Sequence, residues 1–225
     1  VYNSFSLGIG KDGLAGYPLI DVYLTGKELK LAAEVDASVS DFMTTARLYC
    51  SGLNFTFNPH RMILNKVTDC YLTREDGERI EIQDDQLYRV VTDLYTGQML
   101  GSVMEMSYGL LKIEPKDKDG NPIENLEDQA IMEGDKELKA WDAIARYMKS
   151  FDDADGNGIS NVPEYYETTH GRKVVDESRN VIDLVKNPNK FSVMIVGIVL
   201  VLILIIILLV VLIRKLIKKR RRKKK

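Results

Sequence analysis

Residues 191–213 read FSVMIVGIVLVLILIIILLVVLI without a single charge, and ten of the twelve residues that follow, RKLIKKRRRKKK, are basic. At about 1.5 Å per helical residue the run reaches roughly 35 Å, enough to cross a hydrocarbon core of about 30 Å with some tilt. A buried core helix is the competing reading, but core helices rarely lack polar residues over such a length, and they do not end in a block of cations. Lysine and arginine resist translocation, so residues 214–225 are expected on the cytoplasmic side and residues 1–190 outside, in a single-pass plasma-membrane protein. The basic tail reads as a stop-transfer signal, and the same charges suit contact with anionic lipid on the inner leaflet. It lacks the aromatic residues that interleave with bases, which argues against a nucleic-acid partner.

Composition changes sign once the tail is set aside. The chain holds 31 basic and 33 acidic residues for a net charge of −2; without the tail, 21 basic residues face 33 acidic ones, a net of −12. An acidic, outward-facing domain does not suggest polyanion binding. About 190 residues suffice for one full core with a smaller appended segment. The chain begins at Val1 with no signal peptide, which an outward-facing domain normally needs; the expectation is the C-terminal piece of a longer precursor.

Four segments are expected: residues 1–115 as an α/β domain, 116–190 as a helical extension and stalk, 191–213 as the span and 214–225 as the tail. LIDVYL alternates as a strand does, and Thr25 caps a helix whose first turn is Gly26-Lys27-Glu28 and whose apolar side is Leu29, Leu31, Ala32, Ala33 and Val35. Strand feeding into capped helix is α/β grammar. A second helical piece is expected over 38–46, a turn at Glu75-Asp76-Gly77, strands over 79–83, 86–94 and 110–114, and a helix over 101–109. Asp117 to Asn121, DKDGN, reads as a tight turn, with its carboxylates as metal ligands the sharper alternative. Leu138, Trp141, Ile144, Ala145, Met148 and Phe151 recur at helical spacing over 136–151, with Glu137 and Lys139 among the charges of the polar face, and Trp141 reads as core rather than as a ligand platform. Residues 172–189 read as a polar stalk.

A hairpin folded about His60 would place Phe57 opposite Ile63, Leu53 opposite Val67 and Tyr49 opposite Tyr71 on the core side. That register sets Cys50 opposite Cys70. Opposed residues lie about 4.5 to 5.5 Å apart, so a cross-strand disulfide and two thiols both remain open.

The chain has two histidines, His60 and His170, each without a neighbouring ligand motif and each read as a solvated loop residue. There is no glycine-rich phosphate loop, Gly-x-Ser-x-Gly elbow or His-Glu-x-x-His helix, so no catalytic activity is expected of this chain alone. GYPLIDVYLTGKELK, then CSGLNFTFNP, then LYRVVTDLYTGQML, in that order, resemble the C-terminal domain of the 5′-nucleotidase family of metallophosphoesterases. The resemblance covers residues 1–115. It implies a four-layer α/β/β/α domain that follows an N-terminal domain carrying a divalent metal pair, and that supplies the nucleoside-binding half of the active site. The implied partners are that upstream domain, a nucleotide or nucleoside, and the lipid bilayer.

The resemblance carries over to few residues. An aromatic residue that stacks on the nucleobase follows the family's Tyr-Arg-Val-Ala-Thr-Asn strand, and Tyr95 falls there. The Gly-Gly-Asp-Gly-Tyr segment that comes next is replaced by Met99-Leu100-Gly101-Ser102-Val103. The second stacking aromatic maps to Ala15-Gly16-Tyr17, where Tyr17 is the substitute. Tyr95 as a stacker and Tyr95 as a core or surface aromatic both stand.

Asp153, Asp155, Asn157, Asn161 and Glu164 supply oxygens at positions 1, 3, 5, 9 and 12 of a twelve-residue loop, the spacing a seven-coordinate Ca²⁺ needs, with glycine at position 6. An acidic loop capping the preceding helix is the plain alternative. Two functions compete: the substrate-binding part of a cell-surface 5′-nucleotidase or nucleotide phosphohydrolase, and a non-catalytic surface module for adhesion or partner binding.

Overall fold

The computed structural model describes residues 2, 6–44, 47–107 and 109–223. Thr45 and Ala46, expected to end a second helix, and the last two lysines of the tail lie outside them. The chain divides into two compact units, one of residues 1–33, 48–55 and 70–174 and the other of residues 34–47, 56–69 and 175–225. It is a mixed α/β protein, as the strand-to-helix pattern predicts.

In the first unit, strand β1 (Leu19–Thr25) buries Ile20, Val22 and Leu24 and leaves the alternate residues half-buried. It pairs antiparallel with β5 (Leu87–Asp93), Leu19 opposite Asp93 and Thr25 opposite Leu87. Its other edge is paired by irregular chain. The Leu19 N–H donates to the Leu138 carbonyl at 2.8 Å, the Ile131 N–H donates to the Leu19 carbonyl at 2.8 Å, and Tyr23 and Lys116 exchange both bonds at 2.8 and 2.9 Å. Ile20 and Val22 pack with Leu94, Val90, Ile123 and Leu126, while Leu24 packs with Leu29, Ala32 and Ile113.

Helix α1 (Gly26–Val39) starts where Thr25 predicts. The Glu28 N–H donates to Thr25 Oγ1 at 3.3 Å and the Thr25 N–H donates to Glu28 Oε2 at 2.8 Å, a reciprocal capping box. Glu28 Oε1 also accepts from the Glu114 N–H at 3.1 Å and from Lys116 Nζ at 2.6 Å. Burial opposes this carboxylate's charge, but the Lys116 ammonium and the Thr25 and Glu114 donors outweigh it and hold its pKa below the usual carboxylate range. Residues 110–114, expected as a strand, form no ladder: the chain bends at Leu110 and Leu111, Leu111 and Ile113 are buried, and the first β-bridge comes only at Lys116.

The remaining sheets are a four-stranded one ordered β4 (Arg79–Glu81), β3 (Val67–Thr73), β2 (Leu53–Phe57), β8 (Lys173–Val175), and a two-residue ladder of β6 (Met132–Glu133) with β7 (Lys136–Glu137). The predicted hairpin register is displaced. The Asn58 N–H donates to the Lys66 carbonyl at 2.9 Å and the Thr73 N–H to the Gly52 carbonyl at 2.8 Å, about four residues from a fold-back about His60. The reason is the loop. Asn58 Oδ1 accepts from the His60 N–H at 2.8 Å, Leu64 takes φ 60°, and the buried Arg61 holds the Asn65 carbonyl through Nε at 2.7 Å, so the turn runs from 58 to 66. Leu53 and Phe55 are buried as expected; Tyr49, expected in the core, is 87% exposed. Cys50 and Cys70 are half-buried thiols, and Cys50 precedes β2 instead of facing Cys70 across a ladder.

Helix α2 (Leu94–Met106) begins seven residues before the expected start at 101, directly at the end of β5. Asp93 causes this: its carboxylate accepts from the Thr96 N–H at 3.0 Å and the Thr96 hydroxyl at 2.7 Å, capping a first turn that contains Tyr95. Helix α3 (Ala140–Lys149) is shorter than the predicted 136–151, because Lys136 and Glu137 are taken up in β7.

In the second unit, Glu34 and Ser38 on α1 receive the loop before β3. Glu34 accepts from the Lys66 N–H at 2.6 Å and the Val67 N–H at 2.9 Å, and Ser38 Oγ accepts from the Leu64 N–H at 2.9 Å. Ser38 and Val39, expected to open a second helix, are the last turn of α1. The chain after 175 is docked, where the pattern predicted a stalk. Asn58 Nδ2 donates to the Ser178 carbonyl at 2.7 Å, and Arg61, 7% exposed, also donates to the Asp183 carbonyl and, at 2.6 Å, to the Lys186 carbonyl, closing the end of helix α4 (Val181–Val185). Asn189 caps helix α5 (Lys190–Lys223), accepting from the Phe191 and Ser192 N–H groups at 3.0 Å each, and its amide donates to the Leu64 carbonyl. From Lys190 to Lys218 α5 is long and apolar enough to cross a membrane, and its apolar residues from Val193 onward are largely exposed. A core helix would bury them.

Arg61→Met leaves three carbonyls without their donor and is expected to speed trypsin cleavage at Arg179 and Lys186 by about tenfold or more in limited proteolysis of the detergent-solubilised chain. Glu28 sets a pH dependence. A carboxylate whose folded pKa is depressed adds stability above its unfolded value, near 4.3, that is lost as pH falls through the folded value. The melting temperature is expected to fall below about pH 4.5, and less steeply in Glu28→Gln.

Candidate functional site

Tyr17 and Tyr95, which the sequence leaves far apart, meet in the first unit with ring centroids 5.7 Å apart and planes inclined by 35°. The β1/β5 ladder brings them together. The Leu94 N–H donates to the Pro18 carbonyl at 2.9 Å, so the residue before β1 and the first turn of α2 stand side by side. Tyr17 is half-buried and packs against Ile20, Val22 and Leu94, whereas Tyr95 is 45% exposed.

Gly8 approaches the Tyr17 ring closely. A Cβ built at Gly8, whose φ is +78°, would sit 2.7 Å from Tyr17 Cε1. A base sandwiched between two rings needs two contact distances, about 7 Å in all. At 5.7 Å the tyrosines touch one another, which leaves no such slot between them, and Tyr95 keeps its other side open to solvent.

The chain bearing Tyr17 is held by a cluster that periodicity misassigned. Lys139 and Glu137, expected on the solvated face of a helix, are 2% and 7% exposed. Lys139 Nζ contacts Asp12 Oδ1 at 2.8 Å and Glu137 Oε2 at 2.6 Å; the Glu137 N–H donates to Asp12 Oδ2 at 3.2 Å and the Lys11 N–H to Glu137 Oε1 at 3.1 Å. Burial works against the ammonium, but the two carboxylates overcome it and raise the Lys139 pKa above that of an ordinary lysine. The ammonium in turn holds Asp12 below the usual carboxylate range. Alternating positive and negative charge in one buried cluster was invisible to a pattern that treats every charge as exposed.

An open cavity of about 540 Å³ lies beside the outer face of the β1/β5 ladder, lined by Asp21, Tyr23, Arg89 and the 117–119 and 128–131 segments. Its charges are largely engaged. Asp21 pairs with Arg89 at 2.8 and 2.9 Å, Asp128 with Lys11 at 2.7 Å, and Asp117 accepts from the Asp119 and Asn121 N–H groups of its own turn at 2.9 Å each. The DKDGN segment is thus the tight turn its sequence suggests.

The oxygens of the 153–164 loop also serve their own backbone. Asp153 accepts from the Asn157 and Gly158 N–H groups at 3.1 and 2.9 Å, Asn157 Oδ1 from the Ile159 N–H at 2.8 Å, and Asn161 Oδ1 from the Ala154 N–H at 2.7 Å. The Gly158 and Asn157 donors hold the Asp153 pKa below the usual range. Asp155 bonds the Asn157 amide, and Glu164 opens a 3-10 turn. Among the described residues no group of three or more His, Cys, Asp or Glu gathers as a metal site. His60 sits in the 58–66 loop, and His170 stacks on Tyr165 at 3.9 Å.

Residues 15–107, which carry both tyrosines, match the family described as 5′-nucleotidase, C-terminal domain. The match covers 93 of the 225 residues. No curated protein sequence matches the chain. Among solved structures, the chain is similar to a 5′-nucleotidase precursor from Thermus thermophilus, at 17% identity and a TM-score of 0.47, over 72% of this chain and 26% of that one. A second is the NAD nucleotidase of Haemophilus influenzae, at 20% identity and a TM-score of 0.32, over 45% of this chain and 19% of that one. The chain thus spans about a quarter or less of the length of these structures. The matched segment begins just before Tyr17 and ends at the close of α2, so β1, α1, β5 and the tyrosine pair all lie within it.

Proposed function

We propose that this chain is the substrate-binding part of a nucleotidase that works in nucleotide catabolism at the cell surface, with hydrolysis carried out by a metallophosphoesterase domain upstream. The contact between Tyr17 and Tyr95 within the matched segment carries the reading. An exposed tyrosine ring on a capped helix turn offers a base a flat apolar face, worth about 1 to 3 kcal/mol by stacking and tolerant of base identity. The acidic charge before the span would not attract a phosphate, which leaves the base and sugar as the part of the substrate this domain holds.

In this reading α5 anchors the protein, with residues 1–190 outside and the basic tail in the cytoplasm, by the bias of lysine and arginine toward the inner side. Trypsin added to intact cells is expected to remove residues before 190 and to spare the tail; the reverse pattern would overturn the orientation.

A second reading, a non-catalytic membrane-anchored module for adhesion or partner binding, is favoured by the closeness of the two tyrosines, which leaves no slot for a sandwiched base. Adenosine separates the two. Titrated into the full chain in detergent micelles and followed by calorimetry, it is expected to bind, and Tyr95→Ala to weaken binding by about 5- to 100-fold while Tyr95→Phe does not. No binding at millimolar adenosine would favour the module.

A further inference from the structure

The segment from Gly8 to Tyr17 has no regular structure, yet it delivers one of the two rings. It is a small loop closed on itself: the Gly16 N–H donates to the Gly8 carbonyl at 3.0 Å, the Gly10 N–H to the Leu14 carbonyl at 3.0 Å, and Ile9 and Ala15 form a bridge. What fastens it lies at its tip. Asp12 Oδ1 receives the Leu14 N–H at 3.0 Å and Lys139 Nζ at 2.8 Å. Glu137 Oε1 receives the Lys11 N–H at 3.1 Å. Gly10 has no room for a side chain, since a Cβ there would lie 1.9 Å from Glu137 Oε2 and 2.1 Å from Lys139 Nζ. The base of the loop is tied to the same strip of chain, because the Ala140 N–H donates to the Tyr17 carbonyl at 3.1 Å and Pro18 and Lys139 form a bridge.

We propose that Lys139 is a positioning residue for the aromatic site: buried between Asp12 and Glu137, it clamps the 8–17 loop so that the Tyr17 ring is set against Tyr95. Lys139 acts through Tyr17 and does not touch the substrate. The cluster suits this task better than apolar packing would, because a buried ammonium loses its compensation unless both carboxylates stay in place, which leaves the loop one low-energy position. A purine or pyrimidine nucleoside would then stack on a platform whose inner ring is fixed, a consequence that rests on the base-binding reading above.

Photo-oxidative dityrosine crosslinking of the full chain in micelles, read by peptide mass in the monomeric fraction, tests the clamp without a ligand. Among the described residues the tyrosine pairs in reach include Tyr17–Tyr95 at 5.7 Å, Tyr165–Tyr166 at 5.2 Å and Tyr147–Tyr166 at 6.4 Å between centroids, the last of which serves as the internal reference. Lys139→Met is expected to lower the Tyr17–Tyr95 product by roughly tenfold and leave the Tyr147–Tyr166 product unchanged, because breaking the cluster frees the loop. Equal yields of both products in wild type and variant would overturn the proposal. Should Lys139→Met lose both products through unfolding, Asp12→Asn, which keeps the size of the side chain and the Glu137 contact, decides: selective loss of Tyr17–Tyr95 supports the clamp, and retention of both overturns it. A Tyr17→Ala, Lys139→Met double variant that binds adenosine no more weakly than Tyr17→Ala alone supports action through Tyr17, whereas additive losses overturn it. If adenosine binds none of the proteins, base binding fails while the crosslinks still decide the clamp.

Discussion

A strand buried on one face needs backbone partners on both edges, and the first unit is organised around meeting that need for β1. One edge is met by β5 in a regular seven-residue ladder. The other is met piecemeal, by Lys116, Ile131 and Leu138, each arriving from a different irregular segment. Long loops that would otherwise wander over the surface are therefore drawn to fixed points, because a buried N–H or carbonyl left without a partner costs on the order of 1 to 3 kcal/mol. The tyrosine pair follows from the same arrangement: Tyr17 lies two residues before β1 and Tyr95 two residues after β5, and antiparallel pairing makes those ends neighbours.

Buried charge does the rest of the fastening. Glu28 holds the 114–116 segment to the start of α1, Glu34 holds residues 66 and 67, Lys139 holds the 8–17 loop, and Arg61 gathers the carbonyls of Asn65, Asp183 and Lys186. In each case an ionised group meets several partners at once. That multiplicity offsets the cost of removing the charge from water, and it makes each contact intolerant of losing one member. Loops secured in this way can present side chains as firmly as helices and strands do, which is why an irregular segment can take part in the aromatic site.

Thr25, the DKDGN turn and the apolar run after Lys190 were readable because their causes are local: a hydroxyl within reach of its own helix start, an aspartate that caps its own turn, and a stretch with nothing charged in it. Tyr95 and Tyr17 entered through family resemblance, and no local signal joins them. Other features eluded the pattern. Lys139 and Glu137 fitted the polar face of an amphipathic helix, because periodicity records that a residue is charged and not whether opposite charges await it in the interior. The hairpin register failed because Asn58 and Arg61 lengthen its loop, and Arg61 is itself held by carbonyls more than a hundred positions away. The chain from 172 to 189 looked like a stalk because it is polar, whereas carbonyls within it are the acceptors that Arg61 and Asn58 require.

By itself, then, the sequence determined what depends on neighbours along the chain: an α/β start, a capped helix, a span of sufficient length and a domain acidic apart from its tail. Tertiary structure alone decided which charges are interior, how the strands register and which two rings touch. Those outcomes depend on partners brought together from distant positions, and hydrophobic spacing carries no record of such pairings until the backbone has closed around them.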